Sequence, residues 1–109
     1  MTDKIVVLST CESEEEALRL ARRLVELRLA ACVSVIPGAR SVYHWKGKIE
    51  EAAEFVLIVK SRRDLFATLR TEIEKLHSYD VPEIVALPVV DGSESYLGWL
   101  DGQLTKQEL

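Results

Sequence analysis

The sequence predicts an α+β fold. Short β-branched apolar segments alternate along the chain with two segments of helical periodicity, and a glycine turn joins the second and third strand segments directly. The predicted order is βαββαβ with a short C-terminal helix. This is the order of the ferredoxin-like fold, an antiparallel sheet with helices on one face. The chain has 109 residues, the size of one domain, so we expect a single domain over residues 1–109.

The first strand and the first helix have clear sequence signals. Residues 4–10 are apolar and β-branched, which predicts a buried strand. Ser13 and Glu16 then have the spacing of a capping box, in which each side chain bonds a free backbone N–H at the start of a helix. Because an apolar stripe of helical period follows, we predict a helix over residues 14–28.

A hairpin is predicted in the centre of the chain. Residues 30–36 form a second predicted strand, which stops at Pro37-Gly38 and resumes at residues 42–45. A glycine turn at residues 46–48 connects it to a long third strand over residues 49–60. The two strands therefore pair as neighbours in the sheet.

A helix, a strand and a short helix complete the chain. Ser61 and Asp64 are predicted to cap a second helix over residues 64–77. Residues 83–90 predict a fourth strand, in which Pro88 lacks a donor for the ladder and indicates a sheet edge or a bulge. A third helix is predicted from the spacing of Tyr96, Leu97, Leu100 and Leu104.

The third strand is too long for a lone globule of this size. From Lys48 to Lys60 it measures about 43 Å at 3.3 Å per residue. A chain of 109 residues has a radius of gyration of about 13 Å and a diameter of roughly 34 Å. Because a projecting hairpin exposes unpaired backbone and apolar side chains, we expect a closed homo-oligomer whose hairpin extends a neighbour's sheet. A bulge at Ala52-Ala53 would weaken this expectation.

Composition excludes several classes of function. Lys and Arg number 14 against 18 Asp and Glu, a net charge of −4, so no basic stripe is available for nucleic acid. The longest N-terminal apolar run, Ile5 to Leu8, is too short for a signal peptide or a membrane span. We therefore expect no nucleic-acid partner, no membrane partner and a cytoplasmic protein with two reduced cysteines. The catalytic and phosphate-loop motifs that sequence reading recognises are missing, which predicts a protein that is not an enzyme.

Four segments carry a resemblance to a known family: AACVSVIPG (30–38), SVYHWKGKIEEAAE (41–54), HSYDVPEIVALPV (77–89) and YLGWL (96–100). In this order and on these elements they resemble the divalent-cation tolerance family, CutA. The resemblance implies a ferredoxin-like homotrimer formed through the long hairpin and similar in architecture to PII-type nitrogen-regulatory proteins. It also implies binding of copper or another divalent cation, and an inter-subunit cleft.

Cys11 and His77 are the candidate metal ligands. Cys11 ends the first strand beside a helix N-terminus, which favours the thiolate that soft metals bind, although an ordinary turn residue is the simpler interpretation. His77 ends the second helix, where its position alone suits a charge–dipole contact. The resemblance implies a metal-binding histidine there, although Ser78 replaces the proline of the family's H-P-Y motif and Ser9 occupies a position where some members have a cysteine. Cys32, in the second strand, is predicted to lie in the core.

The resemblance implies a second group of residues, which line or support the cleft: Trp45, Lys60, Tyr79, Glu83 and Trp99. Trp45, near the hairpin tip, also fits plain subunit packing. Lys60 ends an apolar strand and, if buried, needs an acidic partner, for which the sequence offers Glu50, Glu51, Glu54 and Glu83.

Together these features predict a trimeric cytoplasmic protein that binds copper or another divalent cation weakly, at His77 and Cys11, and acts by sequestration or signalling. The alternative is a PII-like signalling module that binds a small anion near Lys60 in the inter-subunit cleft.

Overall fold

The computed structural model describes residues 1–106 and contains one four-stranded antiparallel sheet with three α-helices. In chain order the elements are β1 (Lys4–Cys11), α1 (Glu14–Glu26), β2 (Cys32–Trp45), β3 (Lys48–Arg62), α2 (Phe66–Leu76), β4 (Val85–Pro88) and α3 (Glu94–Gln103). The strand order is β2–β3–β1–β4, so the predicted ferredoxin-like α+β fold is confirmed.

β1 lies inside the sheet and pairs antiparallel with β3 on one side and β4 on the other. β4 is an edge strand, as Pro88 indicates, but it covers only Val85–Pro88. The predicted strand over residues 83–90 is therefore too long. Regular pairing with β1 ends at the Ile5–Pro88 pair, although the Val89 N–H still donates to the Lys4 carbonyl at 3.0 Å.

The hairpin of β2 and β3 is longer than the sequence predicts, because Pro37-Gly38 does not stop the second strand. Pro37 and Gly38 together oppose the single residue Phe55 of β3, and regular pairing continues on both sides of them. This is a β-bulge, which accommodates one extra residue and bends the strand without ending it. The bulge suggested for Ala52-Ala53 is wrong, since both residues remain in register.

The hairpin turn has the backbone conformation that its sequence predicts. Lys46 and Gly47 have φ values of 51° and 79°. Positive φ at both central residues defines the type I′ turn, whose twist matches that of the paired strands. Glycine adopts this conformation without a steric penalty, which explains its place at the second position.

Only half of the predicted capping box forms at the start of α1. Ser13 Oγ accepts a hydrogen bond from the Glu16 N–H at 3.2 Å. The Glu16 carboxylate accepts from Ser78 instead, from its backbone N–H at 2.8 Å and its hydroxyl at 3.2 Å. The helix ends at Glu26, two residues earlier than predicted, because Arg28 adopts a left-handed conformation with φ of 57°.

The predicted capping of the second helix is wrong. A 3-10 turn at Arg63–Leu65 precedes α2, and no side chain caps either of them. Ser61 Oγ donates instead to the Leu29 carbonyl at 2.6 Å, and Asp64 accepts from Arg62 Nε at 2.7 Å. Both side chains are occupied by tertiary contacts, which the local spacing cannot reveal.

The core lies between one face of the sheet and the helices. Alternate residues of β1 and β3 are buried with apolar residues of α1 and α2, chiefly Val7, Leu20, Leu24, Leu57, Val59, Leu69 and Ile73. The opposite side, here called the open face, is only partly buried and carries Val6, Leu8, Val56, Ile58 and Lys60. The sheet therefore has apolar side chains on both faces.

The hairpin projects from the body of the molecule. The chain extends 46 × 26 × 22 Å, and its radius of gyration of 14.6 Å exceeds the value of about 13 Å expected for this length. Val42, Trp45 and Ile49 near the tip are 64%, 50% and 69% exposed. None of the helices within residues 1–106 combines the length and the apolar character that a bilayer crossing requires.

Candidate functional site

Cys11, Glu16 and His77 meet at the end of β1. One potential ligand atom from each residue lies within 4.8 Å of the other two, and all three residues are buried. The Cys11 Sγ and His77 Nε2 atoms are 3.7 Å apart. β1 supplies the thiol, the first turn of α1 supplies the carboxylate, and the residue after α2 supplies the imidazole. We call this group the S/N/O cluster.

Both ring nitrogens of His77 already have partners. Nδ1 accepts a hydrogen bond from the Tyr79 N–H at 3.0 Å, so this nitrogen carries no proton. Nε2 lies 2.7 Å from the Thr10 carbonyl and donates to it. The side chain is a buried, neutral imidazole whose orientation is fixed, and not the exposed helix-end contact that position alone suggests.

Cys11 is a buried thiol and not a reactive one. It has no exposed surface, and burial, followed by the charges of Glu16 and Glu54, raises the pKa of its thiol to about 12. The prediction that the neighbouring helix N-terminus favours a thiolate is therefore wrong for the metal-free chain. Desolvation of the charged form outweighs the helix dipole at this position.

The donor set nevertheless fits a divalent ion of the zinc or copper type. Bonds of about 2.3 Å to sulfur and 2.0–2.1 Å to nitrogen at a tetrahedral ion place those two ligands about 3.6 Å apart. The observed separation of Cys11 Sγ and His77 Nε2 is 3.7 Å. Since a thiolate and a carboxylate together carry two negative charges, a divalent ion would neutralise Cys11 and Glu16 in this buried position.

Ser9 lies two residues before Cys11 on the same face of β1. Its Oγ is buried and has no hydrogen-bond partner among the residues that the structure describes. A buried hydroxyl without a partner is unfavourable, because it has lost its hydrogen bonds to water. Ser9 thus places a buried hydroxyl without a hydrogen-bond partner two residues from Cys11.

A cleft of about 330 Å³ adjoins the S/N/O cluster on the side of the hairpin. Its lining includes Tyr43, Trp45, Glu54, Tyr79, Asp80 and Glu83. Thus three of the five residues predicted to line or support the cleft, namely Trp45, Tyr79 and Glu83, are brought together. The hairpin supplies one wall and the loop after α2 supplies the other.

Tyr79 belongs to both the cleft and the surroundings of His77. Its hydroxyl donates to Glu54 Oε2 at 2.9 Å, and its ring centroid lies 4.7 Å from that of His77. Burial and the Glu54 carboxylate raise the pKa of the Tyr79 hydroxyl above its usual range. The phenol therefore remains a protonated donor at neutral pH.

Lys60 lies outside this cleft. It is six residues beyond Glu54 along β3, about 20 Å at the usual rise, and none of its contacts includes a carboxylate in residues 1–106. The lining is acidic and contains no Lys, Arg or His. A single chain therefore provides no basic side chain in this cleft that would bind an anion.

The structure does not place Cys32 and Trp99 where the sequence predicts them. Cys32, predicted to be in the core, is only half-buried and stands opposite Lys60 at the start of β2. Trp99 does not line the cleft; it lies on α3, is 47% exposed and packs against Tyr96 with ring centroids 5.7 Å apart. Glu50 and Glu51 are exposed on the hairpin, as a solvated pair would be.

From the sequence, Glu16 is named only as a capping residue and Glu54 only as a possible partner of Lys60, and Asp80 is not singled out. Glu16 was explained by its place in a capping box, and the Ser78 contact that redirects it comes from a residue 62 positions away. Glu54 sits among other hairpin glutamates, but it is 7% exposed, because Tyr79 closes over it. The one available signal was its position directly before the apolar run that starts at Phe55.

Comparisons with known proteins agree with the fold and the motifs. A family model described as CutA1 divalent ion tolerance protein matches residues 5–103. The chain is 50% identical over 95 residues to the divalent-cation tolerance protein CutA of Thermus thermophilus, which covers 87% of this chain and 92% of that protein. It is 43% identical over 104 residues to the protein of the same name from Pectobacterium atrosepticum, with 95% and 94% covered.

Solved structures give the same result. The crystal structure of CutA from Xylella fastidiosa is similar with a TM-score of 0.93 and 38% identity, covering 95% of this chain and all of that one. A structure from Archaeoglobus fulgidus, described as a periplasmic divalent cation tolerance protein CutA, has a TM-score of 0.89 and 44% identity and covers 92% and 97%. From the family match, these identities and the shared fold, it follows that the chain belongs to the CutA1 divalent ion tolerance family.

Proposed function

We propose that this chain binds one copper, zinc or similar divalent ion at the S/N/O cluster, and that it confers tolerance by sequestering the ion or by signalling its presence. The observation that carries the proposal is the convergence of Cys11 Sγ, His77 Nε2 and a Glu16 oxygen within 4.8 Å in a buried position. A thiolate and an imidazole are the ligands that copper and zinc prefer. The role is that of a binding protein and not that of an enzyme.

The contacts of the metal-free cluster predict weak binding. The ion must displace the Cys11 proton, which a pKa of about 12 holds firmly at neutral pH. It must also replace the bond from His77 Nε2 to the Thr10 carbonyl, and compete with Ser78 for the Glu16 carboxylate. Each of these costs reduces the net affinity, so the ion is held reversibly.

Isothermal titration calorimetry of the reduced protein with Zn(II) and Cu(II) tests the metal proposal. We expect about one ion per chain, and a loss of affinity of at least about tenfold in Cys11→Ser and in His77→Ala. His44→Ala and Cys32→Ser are the matched controls, because His44 is exposed on the hairpin and Cys32 lies outside the cluster. Equal affinity in all four variants, or no binding below millimolar concentration, would contradict the proposal.

We further propose that the chain assembles as a homotrimer through the β2–β3 hairpin and the open face of the sheet. The supporting observations are the projecting shape and the exposed apolar side chains of Val42, Trp45 and Ile49. Association would bury these side chains, each of which contributes about 1.5–3 kcal/mol when fully removed from water. Closed rotational symmetry would leave no unpaired hairpin edge.

Sedimentation equilibrium at micromolar concentration tests the trimer. We expect a particle of about three times the 12.3 kDa mass of the chain. Val42→Glu together with Ile49→Glu should lower this mass, because charges would be buried on assembly. Val25→Glu, at a 43% exposed position on α1, is the matched control and should leave the mass unchanged. A folded wild-type monomer would exclude the assembly.

We propose a cytoplasmic location, in line with the two free thiols of Cys11 and Cys32. No nucleic acid or membrane partner enters the proposed role, given the net charge of −4. Fractionation of the native host, with an antibody against this chain, tests the location. Recovery with the periplasmic or extracellular fraction would contradict it.

A further inference from the structure

The segment between α2 and β4 is held to the body of the chain by few contacts. We call residues 78–83 the strap; it forms neither helix nor strand, none of its residues is buried, and it supplies one wall of the cleft. In residues 1–106, four hydrogen bonds join the strap to other residues, and all four come from Ser78 and Tyr79. A segment with so few contacts is freed when these bonds are lost.

Three of the four bonds end on ligands of the S/N/O cluster. Glu16 accepts from Ser78 with both carboxylate oxygens, from the backbone N–H at 2.8 Å and from the hydroxyl at 3.2 Å. His77 Nδ1 accepts from the Tyr79 N–H at 3.0 Å. The fourth bond joins the Tyr79 hydroxyl to Glu54 on the hairpin at 2.9 Å. The strap is thus fastened by the same side chains that a divalent ion would engage.

His77 cannot hold both the strap and an ion at Nε2. In the metal-free chain Nε2 donates its proton to the Thr10 carbonyl at 2.7 Å, and Nδ1 accepts from the Tyr79 N–H. A coordinating nitrogen carries no proton, so the proton of this neutral imidazole moves to Nδ1. The ring stays neutral throughout. Because the Nδ1–H and the Tyr79 N–H are then two donors that face each other, the bond between them is lost.

Glu16 adds a second and weaker competition. Its two oxygens are the acceptors for Ser78, and one of them lies within 4.8 Å of the ligand atoms of Cys11 and His77. A carboxylate oxygen has two lone pairs, so this competition is partial, whereas that at His77 is exclusive. A carboxylate that turns toward Cys11 and His77 keeps only part of its contact with Ser78. Both competitions therefore loosen the strap.

We propose that the strap is a conformational switch, fastened by Glu16 and His77 in the metal-free chain and released when these side chains turn to a divalent ion. The Tyr79 hydroxyl keeps its bond to Glu54, which involves no ligand of the cluster, so the movement reaches the cleft and the hairpin. The inference rests on the proposed metal site and assigns it the signalling role, because sequestration alone requires no change outside the site. By linkage, a chain with a weaker strap binds the ion more tightly.

Hydrogen exchange followed by mass spectrometry tests the release. The reduced protein is compared without zinc and with Zn(II) at a concentration that saturates it in calorimetry. We expect amides of the strap to exchange at least about threefold faster with zinc, because their protecting bonds are lost. Amides of α1 and β1 should not exchange faster, since a ligand otherwise stabilises the folded state. Cys11→Ser at the same zinc concentration should show no acceleration.

The ring proton of His77 gives an independent spectroscopic readout. The chain contains two histidines, and His44 is exposed on the hairpin, so it serves as an internal reference. In ¹⁵N-labelled protein, two-bond ¹H–¹⁵N correlations distinguish the protonated ring nitrogen from the other. We expect the His77 proton on Nε2 without zinc and on Nδ1 with zinc, and no zinc-dependent change at His44.

Ser78→Ala tests the linkage without removing a ligand. It deletes the hydroxyl bond to Glu16 and leaves the backbone bond in place. We expect zinc affinity to rise by about three- to tenfold, as the loss of one hydrogen bond from the metal-free state predicts, and the strap to exchange faster even without zinc. Ser93→Ala is the matched control, because it loses a hydroxyl contact of 3.3 Å with the Tyr96 N–H on α3. It should change neither quantity.

Three outcomes would overturn the switch. They are zinc binding with unchanged or slower exchange in the strap, a His77 ring proton that stays on Nε2 in the zinc-bound protein, and a zinc affinity of Ser78→Ala no higher than that of the wild type. Zinc still binds in each of these cases, so the metal proposal would survive. Absence of zinc binding in calorimetry would remove both proposals together.

Discussion

The backbone N–H of Tyr79 donates to Nδ1 of His77 at 3.0 Å, while the Tyr79 hydroxyl donates to Glu54 Oε2 at 2.9 Å. One residue thus orients the imidazole of the S/N/O cluster and closes over the buried carboxylate of the cleft. The bond to Nδ1 leaves Nε2 as the protonated nitrogen that faces Cys11. A metal ion at Nε2 must therefore shift this proton to Nδ1 and replace the bond from the Tyr79 N–H, which is a further cost to its affinity.

Tyr79→Phe separates these two roles. The substitution removes the hydroxyl but retains the ring and the backbone bond to His77. We expect a loss of stability of about 1–2 kcal/mol, because Glu54 loses a hydrogen bond in a buried position. Zinc affinity should change by less than about threefold, since the orientation of His77 is kept. Chemical denaturation and calorimetry measure the two effects, and a large loss of zinc affinity would show that the hydroxyl itself supports the cluster.

Ser9→Ala should stabilise the protein. The Ser9 Oγ is buried and has no partner among the described residues, so its removal relieves an unfavourable desolvated group. We expect a gain of about 1 kcal/mol, measured as a higher denaturation midpoint at a fixed protein concentration. Ser61→Ala is the opposite control, because Ser61 Oγ donates to the Leu29 carbonyl at 2.6 Å and its loss should destabilise. A destabilised Ser9→Ala protein would reveal a partner for this hydroxyl.

A glycine-to-alanine substitution should have opposite effects on stability in the hairpin turn and in α3. Gly47→Ala should destabilise by about 1 kcal/mol, because φ at this residue is 79°. Gly98→Ala should stabilise by about 0.5–1 kcal/mol, since Gly98 lies inside α3 and an added methyl meets no atom within 4 Å. Thermal melting of both variants tests the pair, and the same sign in both would contradict it.

Acid should weaken an ion-pair network at the start of β1. Asp101 lies 3.1 Å from both Lys4 Nζ and Arg62 Nη1. Hydrogen bonds from Lys4 and then Arg62 lower the pKa of Asp101 below its usual value of 3.8. A lowered folded-state pKa means that the stabilisation is present above pH 3.8 and is lost as the pH falls through the folded-state value.

Asp101→Asn measures this contribution. The side chain is 52% exposed, so solvent screening limits the loss to about 1 kcal/mol or less at neutral pH. The difference in melting temperature from the wild type should shrink as the pH falls below 3.8. Asp91→Asn, at an exposed turn, should show no such pH dependence. A constant difference for Asp101→Asn across this range would mean that the ion pairs contribute nothing.

Sequence periodicity predicted the order of elements, because the pattern of apolar residues directly reflects which faces are buried. It placed β1, α1 and the hairpin turn at Lys46 and Gly47 closely. It failed where a contact distant in sequence decides the outcome. Ser61 and Glu16 resemble helix caps locally, but their bonds go to Leu29 and Ser78.

The candidate site was predicted only in part, for the same reason. Cys11 and His77 were chosen from residue type and from the resemblance, and the structure brings them to 3.7 Å. Glu16 and Glu54 could not be selected, because burial of a carboxylate is a property of the packed fold and not of its neighbours in sequence. Lys60 was assigned to the cleft through the resemblance, yet about 20 Å of extended chain separates it from Glu54.

An anomalous difference map at the zinc absorption edge, from reduced crystals soaked in Zn(II), examines the S/N/O cluster most directly. We expect one peak per chain at about 2.3 Å from Cys11 Sγ and about 2.0–2.1 Å from His77 Nε2. The Thr10 carbonyl would then lose its bond from His77. Zinc bound only at surface residues, with the Cys11–His77 contact unchanged, would show that this buried cluster is a structural feature of the core and not a metal site.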